Sequence, residues 1–435
     1  MAEVPSSPKV GGTALSLAGT YTLRLQFGKQ DIELTPSALR VVEVVEYLDK
    51  LLPSISITLN DSMGVLTHFM ALDSRYNTIT LMFSNPALET DGVPKQKWMT
   101  FRIWRKNAES VTQMGNYVTF NGLLDVKNAI SPRYQKGWEK KTISSIIQDV
   151  ALEMGIDRAR VKTDTGLNKT ISIVQPNWSN VVFLRYLEER MVSASGVGFF
   201  CWIDSPAGEV PSETSAGKPR LNFKTMSQMV QYGTAKKTFK FGKSPDPELL
   251  PIFTFEPVDN FELINTLGIE EDEYNYYDYE NGKFVTEKLK ITDEGMPILS
   301  EYISYDKSIG TKGLQSGTSE RTTDLIQAYD QKTFRKGFYY KRINALNRIW
   351  INTMGVTDVN CGDVIKLVCS DDVKMVDYQY TGFWLIQRII HHISGNIYLT
   401  RMLLTRPGLD STDPGCTLMK ANPLEKKTQP LGKKR

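Results

Sequence analysis

Apolar and polar residues alternate with a period of two through much of this chain. Tyr21, Leu23, Leu25 and Phe27 alternate with Thr22, Arg24 and Gln26. Ile55, Ile57 and Leu59 alternate with Ser56, Thr58 and Asn60, and Ile79, Leu81 and Phe83 continue the pattern. On an extended chain that period makes one face apolar and the other polar, so these segments predict half-buried antiparallel strands. Asn60-Asp61-Ser62-Met63-Gly64 supplies turn chemistry between two of them. Further strands are predicted at Trp98 to Trp104 and Tyr117 to Val126. Many short strands with close turns predict a small barrel or sandwich before residue 131.

From Lys141 the period changes to that of a helix. Ile143, Ile146, Ile147, Val150, Ala151 and Met154 follow Thr142, a suitable N-cap, and the pattern stops at Gly155. A second stripe, Phe183, Leu184, Leu187 and Met191, follows Asn177-Trp178-Ser179-Asn180 and ends before Gly196. Gly198-Phe-Phe-Cys-Trp-Ile203 then reads as a buried strand. Two helices each need a sheet on which to lay an apolar stripe, so an α/β unit is expected here.

Asp204 to Arg220, rich in Pro, Gly, Ser and charge, predicts a surface loop. Strand character returns in Leu221 to Phe241 and Ile252 to Phe255. Glu270, Glu271, Asp272, Glu273, Tyr274, Tyr276, Tyr277, Asp278 and Tyr279 then form an acidic, Tyr-rich patch. One reading is a protein-contact surface, because Tyr supplies area and a hydroxyl at low entropic cost; the other is a solvated loop. The spacing is not that of a calcium loop. Gly310 to Arg321 is a second connector, followed by a short predicted helix from Thr323 to about Lys332. Period two resumes at Arg342 to Asn352, Val364 to Cys369 and Gly382 to Ile390. Ser394-Gly395-Asn396 predicts a tight hairpin into a last strand, Ile397 to Arg406. The tail from Asn422 carries Lys426, Lys427, Lys433, Lys434 and Arg435 against Glu425 and reads as a solvated terminus.

A chain of 435 residues exceeds one ordinary core, so two to four domains are expected. A net charge of +3 over that length gives no support for a dedicated nucleic-acid binder. Cys201, Cys361, Cys369 and Cys416 show no paired spacing, which suits reduced thiols in a protein folded in the cytosol. No secretory leader pattern opens the chain and no apolar run is long enough for a membrane helix. Of the three histidines, His68, His391 and His392, the last two are adjacent. On a strand they face opposite sides, so neither a metal site nor a catalytic constellation is expected, and the residues read as structural. The motifs of nucleophile elbows, zinc proteases, phosphate loops and dinucleotide folds are absent. We therefore expect no cofactor and a structural protein rather than an enzyme. The enzymatic alternative is a peptidoglycan hydrolase using a carboxylate pair, which geometry must decide. A third reading, nucleic-acid binding through the basic tail, predicts salt-dependent affinity.

Three segments together resemble the hub family of contractile phage tails, which includes baseplate hub proteins, the late control protein D group and the hub part of the secretion spike protein VgrG. Pro53-Ser-Ile-Ser-Ile-Thr-Leu-Asn-Asp61-Ser-Met-Gly64 is similar to a strand and turn of the family's N-terminal barrel. Thr142 through Gly155, then Asn177-x-Ser179 and Phe183-Leu184-x-x-Leu187 through Gly196, resembles its paired-helix insertion. Gly362-Asp363-Val-Ile-Lys-Leu, Thr381-Gly-Phe-Trp384-Leu-Ile, His391 and Tyr398-Leu-Thr-Arg401-Met-Leu-Leu-Thr-Arg406 resemble its second barrel. Residues from about 205 to 340 match no family motif.

The resemblance implies an α+β, mainly β fold: two small antiparallel β-barrel domains flanking an α/β insertion with paired helices. The expected divisions are a flexible start at 1–12, a first barrel at 13–130 and the α/β unit at 131–265, with strands in its second half available to complete the first barrel. An insertion at 266–340, a second barrel at 341–410 and a basic tail at 411–435 complete the chain. The implied assembly is a homotrimer in the virion's tail baseplate. It would join a sixfold tail tube to a threefold central spike and leave a channel for tape measure protein and DNA. The implied partners are the tube ring, the spike, the tape measure protein and other baseplate proteins, with no membrane segment and no specific nucleic-acid binding.

Overall fold

The computed structural model describes residues 22–27, 30–31, 39–61, 78–85, 95–111, 115–163, 170–190, 199–208, 218–225, 229, 235–241, 249–258, 271–278, 282–290, 347–369, 380–395 and 397–406. The predicted helix at 323–332, the connector at 310–321, His68, Cys416 and the basic tail lie outside them.

Seven strands make up the N-terminal β half: β1 (Thr22–Phe27), β2 (Gln30–Asp31), β3 (Leu39–Tyr47), β4 (Ser54–Asn60), β5 (Thr78–Ser84), β6 (Lys97–Val111) and β7 (Gly115–Leu124). They lie in the order β3-β4-β7-β6-β5-β1-β2, antiparallel at every step. The alternating residues point as their period requires, with Ile55, Ile57, Leu59, Ile79, Leu81 and Phe83 all buried. Strand β3 is absent from the expected set. Its buried positions include Val42, Val44 and Glu46, so a carboxylate occupies the apolar phase of the alternation.

The α/β unit comprises β8 (Tyr134–Thr142), α1 (Ile143–Glu153), β9 (Val161–Thr163), β10 (Thr170–Trp178), α2 (Asn180–Arg190), β11 (Phe199–Asp204) and β12 (Arg220–Thr225). Helix α1 starts where the sequence requires: the Thr142 side chain accepts a hydrogen bond from the Ser145 amide. It stops at Gly155, whose φ of +73° suits a residue without a Cβ. Its apolar stripe and that of α2 enter one core with the inner faces of β3 to β7. Within that core Phe183 stacks on Trp138 at 5.2 Å between ring centroids. Strand β11 is buried on both faces. Phe199, Cys201 and Ile203 enter the core just described, while Phe200 and Trp202 enter a second one. The buried run read from the sequence is therefore a septum between two cores.

The rest of the chain contributes β13 (Thr238–Phe241), β14 (Leu250–Val258), β15 (Glu271–Asp278), β16 (Lys283–Lys290), β17 (Asn347–Met354), β18 (Val364–Cys369), β19 (Gly382–Ser394) and β20 (Ile397–Arg406). Six of these close into a barrel in the order β18-β13-β14-β17-β20-β19, with β19 pairing back to β18. Strands β13 and β14, which their position left available to the first barrel, complete this one. Parity accounts for the direction of β13. The antiparallel run β14-β17-β20-β19-β18 has an odd number of strands, so its two ends point the same way, and β13 bridges them by running parallel to both. The barrel is thus not purely antiparallel.

Strand β19 also pairs with β3 over Arg388–Ile393, so barrel and N-terminal half share one thirteen-stranded sheet. Among the described residues the N-terminal half does not close on itself; its run ends at β1 and β2. The fold is mainly β with two α-helices among the described residues, and one of the two expected barrels is closed there. No helix among the described residues is long and apolar enough to cross a membrane.

Candidate functional site

The acidic, Tyr-rich patch is largely a strand. Glu271 to Asp278 form β15, which pairs only with β16 among the described residues, as an antiparallel two-stranded sheet. Glu270 and Tyr279 lie outside the described residues. The register sets Glu271 opposite Lys290, Glu273 opposite Lys288 and Asp278 opposite Lys283, so a basic strand lies beside the acidic one. Tyr274 stands opposite Glu287, Tyr276 opposite Val285 and Tyr277 opposite Phe284. Composition marks the acidic patch in the sequence, but neither its strand conformation nor its basic complement. Opposite charges at directly facing positions favour this register.

A second constellation lies where β3, β6, β19 and β20 meet, and the sequence reading did not assemble it. Glu46 Oε1 accepts from Lys97 Nζ and lies 3.0 Å from His391 Nε2. His391 Nδ1 is 2.9 Å from the Tyr398 hydroxyl. A carboxylate only accepts, so His391 carries its proton on Nε2 and Tyr398 donates to Nδ1. Lys97 Nζ also donates to Asn360 Oδ1 at 3.3 Å. Lys97 and His391 are wholly buried, as is Tyr398, and Glu46 and Asn360 are nearly so. Phe83 covers the cluster, its ring centroid 5.0 Å from that of His391.

Each side chain arrives there by strand phase. Lys97 shares the inward phase of β6 with Met99 and Phe101, and His391 shares that of β19 with Ile389 and Ile393. His392, one residue on, faces outward and meets Glu43 at 3.0 Å. The expectation that the two histidines face opposite sides matches this geometry. Asn360 is fixed through its backbone: its amide donates to Asp363 Oδ2 at 2.8 Å, and its carbonyl accepts from the Asp363 amide at 3.1 Å. Gly355 lies beside the cluster because only a hydrogen fits; a Cβ there would stand 2.0 Å from the Tyr398 ring.

The electrostatics follow from burial and pairing. Burial works to raise the Glu46 carboxyl, but the Lys97 ammonium and the His391 bond outweigh it and hold its pKa at about 2. Burial lowers the pKa of His391, and the nearby Lys97 charge assists against the Glu46 bond. The resting cluster is therefore Lys97 ammonium, Glu46 carboxylate and neutral His391. Glu46 Oε2 is buried without a hydrogen-bond partner.

The loop after β11 departs from expectation at its ends. Asp204 and Ser205 are buried, and Arg220 grips Asp204 with two bonds of 2.9 and 2.6 Å. Residues 209–217 lie outside the described set. Cys201 and Cys361 are buried and joined in no disulfide, as the unpaired spacing suggested.

These strands, septum and barrel have the fold of phage tail proteins. A 43 kDa tail protein of prophage MuSo2 from Shewanella oneidensis superposes with a TM-score of 0.53 at 10% identity, over 88% of this chain and 98% of that one. A tail protein from Neisseria meningitidis MC58 superposes with a TM-score of 0.52 at 10% identity, over 91% and 98% of the two chains. A type VI secretion system component from E. coli gives 0.46 at 9% identity, over 88% and 76%. No protein-family model matches the chain, and no curated protein matches it in sequence. At such identities the likeness is one of fold, and it agrees with the resemblance carried by the three sequence segments.

Proposed function

We propose that this chain is a structural hub of a phage tail baseplate or tail tip. Three copies form a ring that adapts the sixfold tail tube to the threefold central spike and leaves a channel for tape measure protein and DNA. The observation that carries the reading is the end-to-end fold shared with two tail proteins, each covered over 98% of its length. The family resemblance of the sequence supplies the trimer, the partners and the virion location, with folding in the host cytoplasm. A continuous sheet linking a closed barrel to an open strand run supports it physically. Closure removes edges in one half, and ring formation would cover those left in the other.

In this assembly the half-exposed polar faces of the barrel strands are available to line the channel. The β15–β16 hairpin, with Glu270 to Tyr279, is the contact surface for other baseplate proteins. The action is mechanical, and no catalytic residue, metal or cofactor is assigned. Native mass spectrometry of the purified chain over a concentration series tests the proposal, with electron microscopy in the presence of tube and spike proteins. Trimers or threefold rings are expected. A strict monomer under both conditions that releases soluble fragments from peptidoglycan would replace this reading with the hydrolase.

A further inference from the structure

Lys97, Glu46 and Asn360 have the geometry of a reactive set as well as of an ion pair. An amine, a carboxamide and a carboxylate are brought together without water, inside a β-sheet junction rimmed by Phe83 and Tyr398. Lys97 Nζ already contacts the Asn360 carboxamide through Oδ1 at 3.3 Å and the Glu46 carboxylate through Oε1. The Asn360 backbone is held at both its amide and its carbonyl, which fixes the carboxamide relative to β6. We propose that Lys97 and Asn360 form an intramolecular isopeptide bond, with Glu46 as the catalytic acid and base.

The step balances with groups present. The ammonium of Lys97 gives one proton to Glu46, a transfer that neutralises two buried charges and is favoured by desolvation. The freed Nζ lone pair attacks Cγ of Asn360, and the protonated Glu46 stabilises the charge that develops on Oδ1. As the intermediate collapses, the Cγ–Nδ2 bond breaks and the old amide nitrogen leaves as ammonia, carrying a second proton that came from Nζ. The first proton rests on Glu46. No oxidant, metal or cofactor enters. Glu46 Oε2, buried and without a partner, is the oxygen available to carry that proton. His391 and Tyr398 touch none of the reacting atoms of Asn360 in the resting geometry; His391 is a positioning residue that orients Glu46 through Oε1.

The bond would connect β6 of the N-terminal half to the turn before β18 of the closed barrel. These sites lie 263 residues apart in the chain. Pulling on either half would then load a covalent bond instead of a sheet edge, a useful property in any part that transmits force.

The test is intact mass spectrometry of the denatured full chain, followed by protease mapping. The expected result is a mass one ammonia below that of the sequence and one branched peptide joining Lys97 to Asn360. Asn360→Ala and Glu46→Gln are expected at full sequence mass. The wild-type chain at full mass with separate Lys97 and Asn360 peptides would overturn the proposal and leave a buried ion pair, and so would an ammonia loss mapped elsewhere. Complete linkage in Glu46→Gln would overturn the role given to Glu46. The wild-type map decides the bond even where a variant fails to fold.

Discussion

The Glu46 junction and the β15–β16 hairpin both set lysines against carboxylates across strands, yet burial gives them opposite uses. At the junction the charges are sealed from water, so each depends on the others and a single loss strands a partner. In the hairpin, the register sets acidic positions opposite basic ones on a two-stranded sheet that pairs with no other described strand. A two-stranded sheet is marginal alone, and among the described residues no third strand joins this one. The same chemistry therefore holds the fold together in one place and offers a surface in the other.

The largest test of that contrast removes the junction's cation. In an Asn360→Ala background, where no amide can form, Lys97→Met leaves Glu46 buried with only His391 as partner. Breaking a buried pair from one side costs about 3–5 kcal/mol, and urea denaturation should show it as a lower midpoint with an unchanged slope. A loss below about 1 kcal/mol would mean that water reaches the cluster and that the contrast fails.

The next effect is read by pH. Glu46 has a folded pKa of about 2 against an ordinary 4.5. Its ionised form is favoured by folding, so its contribution is complete above 4.5 and is lost as the pH falls through about 2. By linkage that is about 3 kcal/mol. His391 has the opposite charge type and the same direction of effect. Its folded pKa is lowered, so below about 6.5 the unfolded chain takes a proton that the folded chain resists, and stability falls as the pH drops. Asn360→Ala, which keeps the ion pair, should lose stability in two limbs between pH 7 and 2, and adding His391→Gln should flatten the upper one. In a linked wild-type chain Glu46 has no Lys97 charge beside it and burial pushes its carboxyl up, so the lower limb should shrink, and reverse in sign once the folded pKa passes the ordinary 4.5.

How much of this could be read in the residues follows from what a period can encode. Both helices were legible because their stripes, the Thr142 cap and Gly155 act over a few positions. The barrel's membership was not. Whether β13 and β14 join the early strands or the late ones is settled by their pairing with β18 and β17, far along the chain, which no local pattern records. The acidic patch stood out by composition, while β16, with Lys283, Lys288 and Lys290, looked like an ordinary charged segment until register set it opposite. The junction left a fainter trace: Glu46, Lys97 and His391 each occupy the inward phase of an alternating strand. A charge in that phase is a signal, because burial there demands a partner. Asn360 carried no such signal, since it lies in a turn outside any periodic segment.

A smaller effect on stability, with a larger one on assembly, is expected in the hairpin. Glu271→Lys with Glu273→Lys sets like charges opposite Lys290 and Lys288. Cross-strand pairs are worth about 0.2–1 kcal/mol each, so the melting midpoint of the whole chain should barely move. If the hairpin is the contact surface proposed above, the same variant should fail to complement baseplate assembly while remaining folded by circular dichroism. Full complementation would return the patch to the status of a solvated sheet.

The smallest effect sharpens the contrast from the exposed side. Arg102 makes a two-pronged pair with Asp125, at 2.9 and 3.4 Å, on the outer surface of β6, the strand that carries Lys97 inward. The Arg102 side chain is 62% exposed. Its geometry resembles that of a strong pair, but both ions keep access to water, and the gain from pairing is offset by hydration given up and rotamers fixed. Arg102→Gln should therefore cost no more than about 1 kcal/mol, and the difference from wild type should vanish as salt screens the pair. Two lysine or arginine partners of carboxylates on one strand, five residues apart, would then differ severalfold in what their loss costs, with burial as the variable that separates them.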